Sequence, residues 1–69
     1  MATLSDRLIQ LKREKGLLQK DIAVAIGISL RSYQRYETGE RNPDSETLIK
    51  LADFFGVSTD YLLGRTDTQ

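Results

Sequence analysis

Sixty-nine residues give room for one domain with one core, so the chain acts through the surface of a single small body. A composition 39% hydrophobic and 29% charged excludes a disordered chain, and no apolar run reaches the length of a membrane span. Net charge is zero, and the absence of cysteine and histidine removes disulfides, thiolate metal sites and the commonest general base together.

Zero net charge conceals an uneven distribution. Residues 6–41 hold eight lysines and arginines against five carboxylates, a net of +3, and residues 42–69 hold two against five, a net of −3. A polarised molecule with a basic N-terminal half is the expectation. The segment Met1-Ala2-Thr3-Leu4-Ser5-Asp6 has neither the basic stretch nor the apolar block of a signal peptide, which points to the cytoplasm.

In chain order, the first helix is expected over about Leu4 to Lys15, with Thr3 and Asp6 spaced as a capping box and Leu4, Leu8 and Leu11 as one apolar stripe. A second runs from about Gln19 to Ile26 and buries Ile22, Ala23 and Ile26. Ser29 is a good N-cap for a third, which reaches Thr38. Glu40-Arg41-Asn42-Pro43 reads as a turn, and Asp44 caps a fourth helix whose Leu48, Leu51, Ala52 and Phe55 share a face. Ser58 caps a short fifth, roughly Thr59 to Leu63. Each segment ends on a glycine, and no stretch alternates long enough to be a strand. The fold class is therefore all-α: a compact five-helix domain over 1–64, followed by a frayed tail over 65–69.

Only Gly27-Ile28-Ser29 separates the second and third patterns, a turn tight enough to hold two helices at a steep angle. Ala23 permits close approach, and Ile28 is placed to plug the corner. The third helix can then be divided by its geometry of about 100° per residue. Leu30, Arg31, Gln34, Arg35 and Thr38 fall within an arc of roughly 140°, while Tyr33, Tyr36 and Glu37 lie opposite and Ser32 at the border. Two guanidinium groups, an amide and a hydroxyl on one face, backed by an anchored aromatic face, suit the major groove of DNA. Arg31 and Arg35 can donate to guanine O6 and N7, Gln34 can bond a base edge or a phosphate, and Leu30 can press on a thymine methyl. Tyr33 and Tyr36 are expected in the core, with Glu37 in a structural role. Gln19 opens the second helix, where free backbone N–H groups attract phosphate, and Ser32, Thr38, Arg41 and Asn42 can hold further backbone.

The span from Leu8 to Gly64 resembles the lambda-type repressor, Cro and Xre family. Gly16-Leu17, Gln19, Ile22-Ala23, Ile26-Gly27-Ile28-Ser29, Arg35-Tyr36-Glu37-Thr38-Gly39, Arg41, Pro43, Glu46-Thr47-Leu48, Leu51-Ala52 and Gly56-Val57-Ser58 through Tyr61-Leu62-Leu63-Gly64 all stand at that family's spacing. The resemblance implies a homodimer on a near-palindromic operator and transcriptional regulation, as by a repressor. It also implies base contacts from Leu30, Arg31 and Arg35, and phosphate contacts from Gln19, Arg41 and Asn42. A dimer contact near the last helix would use Val57, Tyr61 and Leu62. Three residues depart from the pattern. Leu18 replaces the usual serine or threonine cap, Lys12 replaces an arginine that pairs with the glutamate matching Glu37, and Leu30 stands where glutamine is common.

The alternative is an antitoxin-like or adaptor module whose acidic C-terminal half holds a protein partner. An enzyme is not expected, because no nucleophile and base constellation, phosphate loop or metal-ligand spacing is present. No cofactor, membrane partner or small-molecule ligand is expected either.

Overall fold

The computed structural model describes residues 2–69. Five helices follow in chain order: α1 (Leu4–Lys15), α2 (Gln19–Ile26), α3 (Leu30–Thr38), α4 (Ser45–Phe55) and α5 (Thr59–Leu62). The described residues contain no strand, and no helix among them is long and apolar enough to cross a membrane.

Side-chain caps set most helix starts. The Thr3 hydroxyl accepts from the Asp6 N–H while the Asp6 carboxylate accepts from the Thr3 N–H, a reciprocal box at the head of α1. Ser29, Asp44 and Ser58 cap α3, α4 and α5 in the same way through their side-chain oxygens. The Thr47 side chain and backbone N–H hold the Asp44 carboxyl below the usual carboxylate range. Leu18 has no acceptor to offer α2, so only half of that cap exists: the Asp21 carboxylate takes the Leu18 N–H at 2.9 Å.

The apolar stripes converge on one core made of Leu8, Leu11, Ile22, Ala23, Ile26, Tyr33, Tyr36, Leu51, Ala52, Phe55, Tyr61 and Leu62. Leu4, Ile28 and Leu48 pack against it as partly buried residues, Ile28 in the corner between α2 and α3. α3 rests on α1 and α2, α4 on α2, and α5 on both α1 and α4. This order places α3 with its back in the core and its front in solvent.

Two expectations fail at the C-terminal end. Tyr61 and Leu62 are wholly within the core and have no surface to offer a second subunit, because the four-residue α5 turns both inward to close α1 against α4. Leu63 is the exposed apolar side chain there, and Val57 is partly exposed. The tail does not fray. Arg7 of α1 lies over the Tyr61 ring at 4.0 Å and donates from Nη2 to Asp67 Oδ1 at 2.8 Å and to the Thr66 carbonyl at 3.2 Å. The Ser58 N–H meets the Gln69 carbonyl, and Gln69 Nε2 donates to the Tyr61 hydroxyl, so residues 65–69 fold back over α1 and α5. Gly64 (φ +76°) sits so near the other end of the chain that a Cβ there would fall 1.9 Å from the Ala2 carbonyl oxygen.

Candidate nucleic-acid interface

The division of α3 into two faces follows from which side chains the core can accept. Tyr33 has no exposed surface, and Tyr36 and Glu37 are also buried. Leu30, Arg31, Gln34 and Thr38 are exposed, and Arg35 and Ser32 are half-exposed. Gln19, Arg31, Gln34, Arg35, Thr38 and Glu40 together line one shallow depression across the front of α3 and the head of α2. No carboxylate lies within ion-pair distance of Arg31, Arg35 or Arg41 among the described residues, so their guanidinium groups stand ready for an external partner. Arg7 and Lys12, counted in the basic half, are held by Asp67 and Glu37 and contribute little to that surface.

Glu37 fixes this arrangement from behind. Its Oε1 accepts from Lys12 Nζ at 3.0 Å and from Gln19 Nε2 at 3.2 Å, joining α1, α2 and α3 at one carboxylate oxygen. Burial acts to raise its pKa, but Tyr33, Lys12 and Gln19 outweigh that and hold the carboxyl below its ordinary range. Lys12 therefore keeps the link between α1 and α3, with one bond where an arginine fork would make two. The other oxygen, Oε2, is buried without a partner, as is the Tyr33 hydroxyl. That hydroxyl is close enough to act on the carboxylate but falls short of hydrogen-bond geometry, and burial, then Glu37, pushes its own pKa well above the usual phenol range. The Ser5 hydroxyl also donates to the Glu37 carbonyl.

Several expected phosphate ligands are already committed in part. Gln19 uses one N–H on Glu37, and its Oε1 accepts from Gln34 Nε2 at 3.2 Å, leaving a second N–H free. The Ser32 hydroxyl accepts from the Ser29 hydroxyl at 2.9 Å and keeps its own proton for donation. Thr38 differs from expectation: its hydroxyl donates to the Arg35 carbonyl at 3.1 Å, so it has no proton for a phosphate until that bond opens. Arg41 is exposed beyond the end of α3. Asn42 borders a separate apolar groove with Ala2, Leu4, Pro43, Leu48 and Leu63.

The sequence alone did not reveal the bridge from Gln34 to Gln19 or the role of Glu40 in the depression. Gln19 and Gln34 are fifteen residues apart on different helices, and only the crossing angle brings them together.

A model of the helix-turn-helix family matches residues 8–62, which contain the whole of α2, the turn and α3. The chain belongs to that family, in its Cro/C1 type. Within this helix-turn-helix family it is similar to the transcriptional regulator ImmR of Bacillus subtilis, 38% identical over 65 residues, which are 94% of this chain and 51% of that protein. It is similar as well to the phage CTXphi transcriptional repressor RstR of Vibrio cholerae, 42% identical over 94% of this chain and 58% of the relative. The chain thus spans little more than half the length of these curated relatives. Among solved structures, a transcriptional regulator from Listeria innocua superposes with a TM-score of 0.84 at 39% identity, over 90% of this chain and 58% of the other. The P22 c2 repressor, in a crystal with a synthetic operator, gives a TM-score of 0.86 over 91% of this chain and 96% of its own, and at 24% identity it supports the fold.

Proposed function

We propose that this domain binds double-stranded DNA sequence-specifically, as the DNA-reading part of a transcriptional regulator of the phage-repressor kind. It is a binding protein rather than an enzyme, acting at the nucleoid in a prokaryotic cytoplasm. The observation that carries the reading is the division of α3: Tyr33, Tyr36 and Glu37 lock its back, while Leu30, Arg31, Gln34 and Arg35 stand in front, neither arginine ion-paired among the described residues. An α-helix fits the major groove, and a fixed back face holds the front side chains in register with base edges.

In this reading Arg31 and Arg35 meet guanine, Leu30 meets a thymine methyl, and Gln19, Ser32, Arg41 and Asn42 hold phosphate, joined by Thr38 once its internal bond opens. Two copies bind a near-palindromic operator, with half-sites about 34–36 Å apart. Val57, with the exposed Leu63, supplies the apolar surface for their contact in place of Tyr61 and Leu62.

Selection of bound sequences from a random DNA pool tests this directly, and a recovered palindrome is the expected result. Arg31→Ala and Arg35→Ala should each remove about 1–3 kcal/mol of discrimination, with helix content by circular dichroism unchanged. Operator preference that survives both substitutions overturns the assignment of the face.

A further inference from the structure

A primary amide presents an oxygen at one corner and an NH2 at the other, and half a turn about its terminal bond exchanges them, so its partners decide which way it points. On the front of α3 those partners form a directed chain. Glu37, ion-paired to Lys12 at 3.0 Å, is a carboxylate and can only accept. Gln19 must therefore turn its Nε2 toward Glu37 (3.2 Å) and its Oε1 away. Gln34 then meets an oxygen and must present its own Nε2 to it (3.2 Å). Rotating the Gln19 amide would set oxygen against carboxylate at one end and NH2 against NH2 at the other, two repulsive contacts for two lost bonds.

We propose that Gln34 reads the amino edge of a base, adenine N6 or cytosine N4, and that Gln19 is the positioning residue that transmits the direction of the Glu37 carboxylate to it. The inference rests on the reading of α3 as the major-groove helix. The Oε1 of the exposed Gln34 accepts no hydrogen bond among the described residues, so it is left to accept from an amino group. One N–H of Gln34 is held by Gln19, and the second remains free to donate to adenine N7 in a bidentate contact. Guanine O6 or thymine O4 facing that Oε1 would set oxygen against oxygen, and such a base would be left only the single free N–H instead of a bidentate contact. Every base pair carries one amino and one keto group in the major groove, so the network determines which of the two bases Gln34 faces.

The test uses the operator recovered by the unmodified domain. The position whose preference disappears in Gln34→Ala is the one that Gln34 reads, and single functional groups are then deleted there. Replacing adenine by purine, or cytosine by 2-pyrimidinone, removes the amino group and should weaken binding about tenfold. Deleting the keto oxygen of the opposing base should leave binding unchanged, and Gln34→Ala should be indifferent to both deletions. Gln19→Leu weakens binding to every sequence by removing a phosphate ligand. At this one position it should also abolish most of the sensitivity to the amino deletion, with the arginine-read positions intact. Three results overturn the inference: a keto deletion that weakens binding where the amino deletion does not, a Gln34→Ala profile unchanged at every position, or full amino sensitivity in Gln19→Leu. If the unmodified domain selects no operator at all, the reading of the face itself fails, which separates the two failures.

Discussion

Glu37 shows how much one side chain can be asked to hold. Its carboxylate closes three helices together, and its lowered pKa makes that closure pH-dependent. A carboxyl depressed by folding contributes stability that is complete above the ordinary glutamate range and disappears as pH falls through the lower folded-state value. Glu37→Gln should cost about 1.5–3 kcal/mol at neutral pH by removing the charged acceptor. Melting curves should show the gap from the parent shrinking in acid as the parent loses the same charge, and a gap independent of pH would contradict this account. Arg7 is a second residue whose role the sequence concealed. It counts as one more surface cation until the fold brings Tyr61, Thr66 and Asp67 to it from across the chain. Arg7→Ala should lower stability by about 1–3 kcal/mol through lost stacking and hydrogen bonds. Asp67→Asn should change it far less than Arg7→Ala does, because that carboxylate is fully solvated. Urea titrations of the two variants distinguish a clamp built on the ring from one built on the ion pair.

Among the elements, the helices were legible because their signals are local. Caps lie within three residues of what they cap, and apolar stripes repeat within one helix, so Thr3, Ser29, Asp44 and Ser58 mark starts and Leu8, Leu11, Leu51 and Phe55 mark faces. The same locality identifies the weak start. Leu18 is exposed and gives α2 no side-chain acceptor, while Asp21 already supplies the other half of a box. Leu18→Thr should therefore stabilise the domain by about 0.5–2 kcal/mol, measured by chemical denaturation. No gain would mean that Leu18 makes packing contacts worth as much as a cap. What stayed hidden were contacts between elements. The turn of Tyr61 and Leu62 into the core follows from how α5 meets α1 and α4, and the hydroxyl of Thr38 turns back for a carbonyl of its own helix. Neither follows from periodicity.

At the scale of the molecule, closure of the two chain ends was the least visible feature. Ala2 meets Gly64, Arg7 meets Asp67, and Gln10 reaches the Tyr61 hydroxyl, all across fifty or more residues and without any local pattern to announce them. Gly64→Ala should destabilise the whole domain by more than about 1 kcal/mol, because it combines a positive φ with an overlap of backbone atoms. Differential scanning calorimetry should show one transition moved to lower temperature, since a core shared by all five helices unfolds as a unit.

The separation of duties along α3 carries one more consequence. Tyr33 and Tyr36 anchor the helix from behind, while Leu30 and Arg31 are exposed and Arg35 is partly so. If those three residues read bases as proposed, exchanging them for another set should alter the message while the buried Tyr33 and Tyr36 keep the scaffold that displays it. On that reading, a lineage built on this plan could drift from one cognate site to another by single steps, each leaving the buried face of α3 untouched.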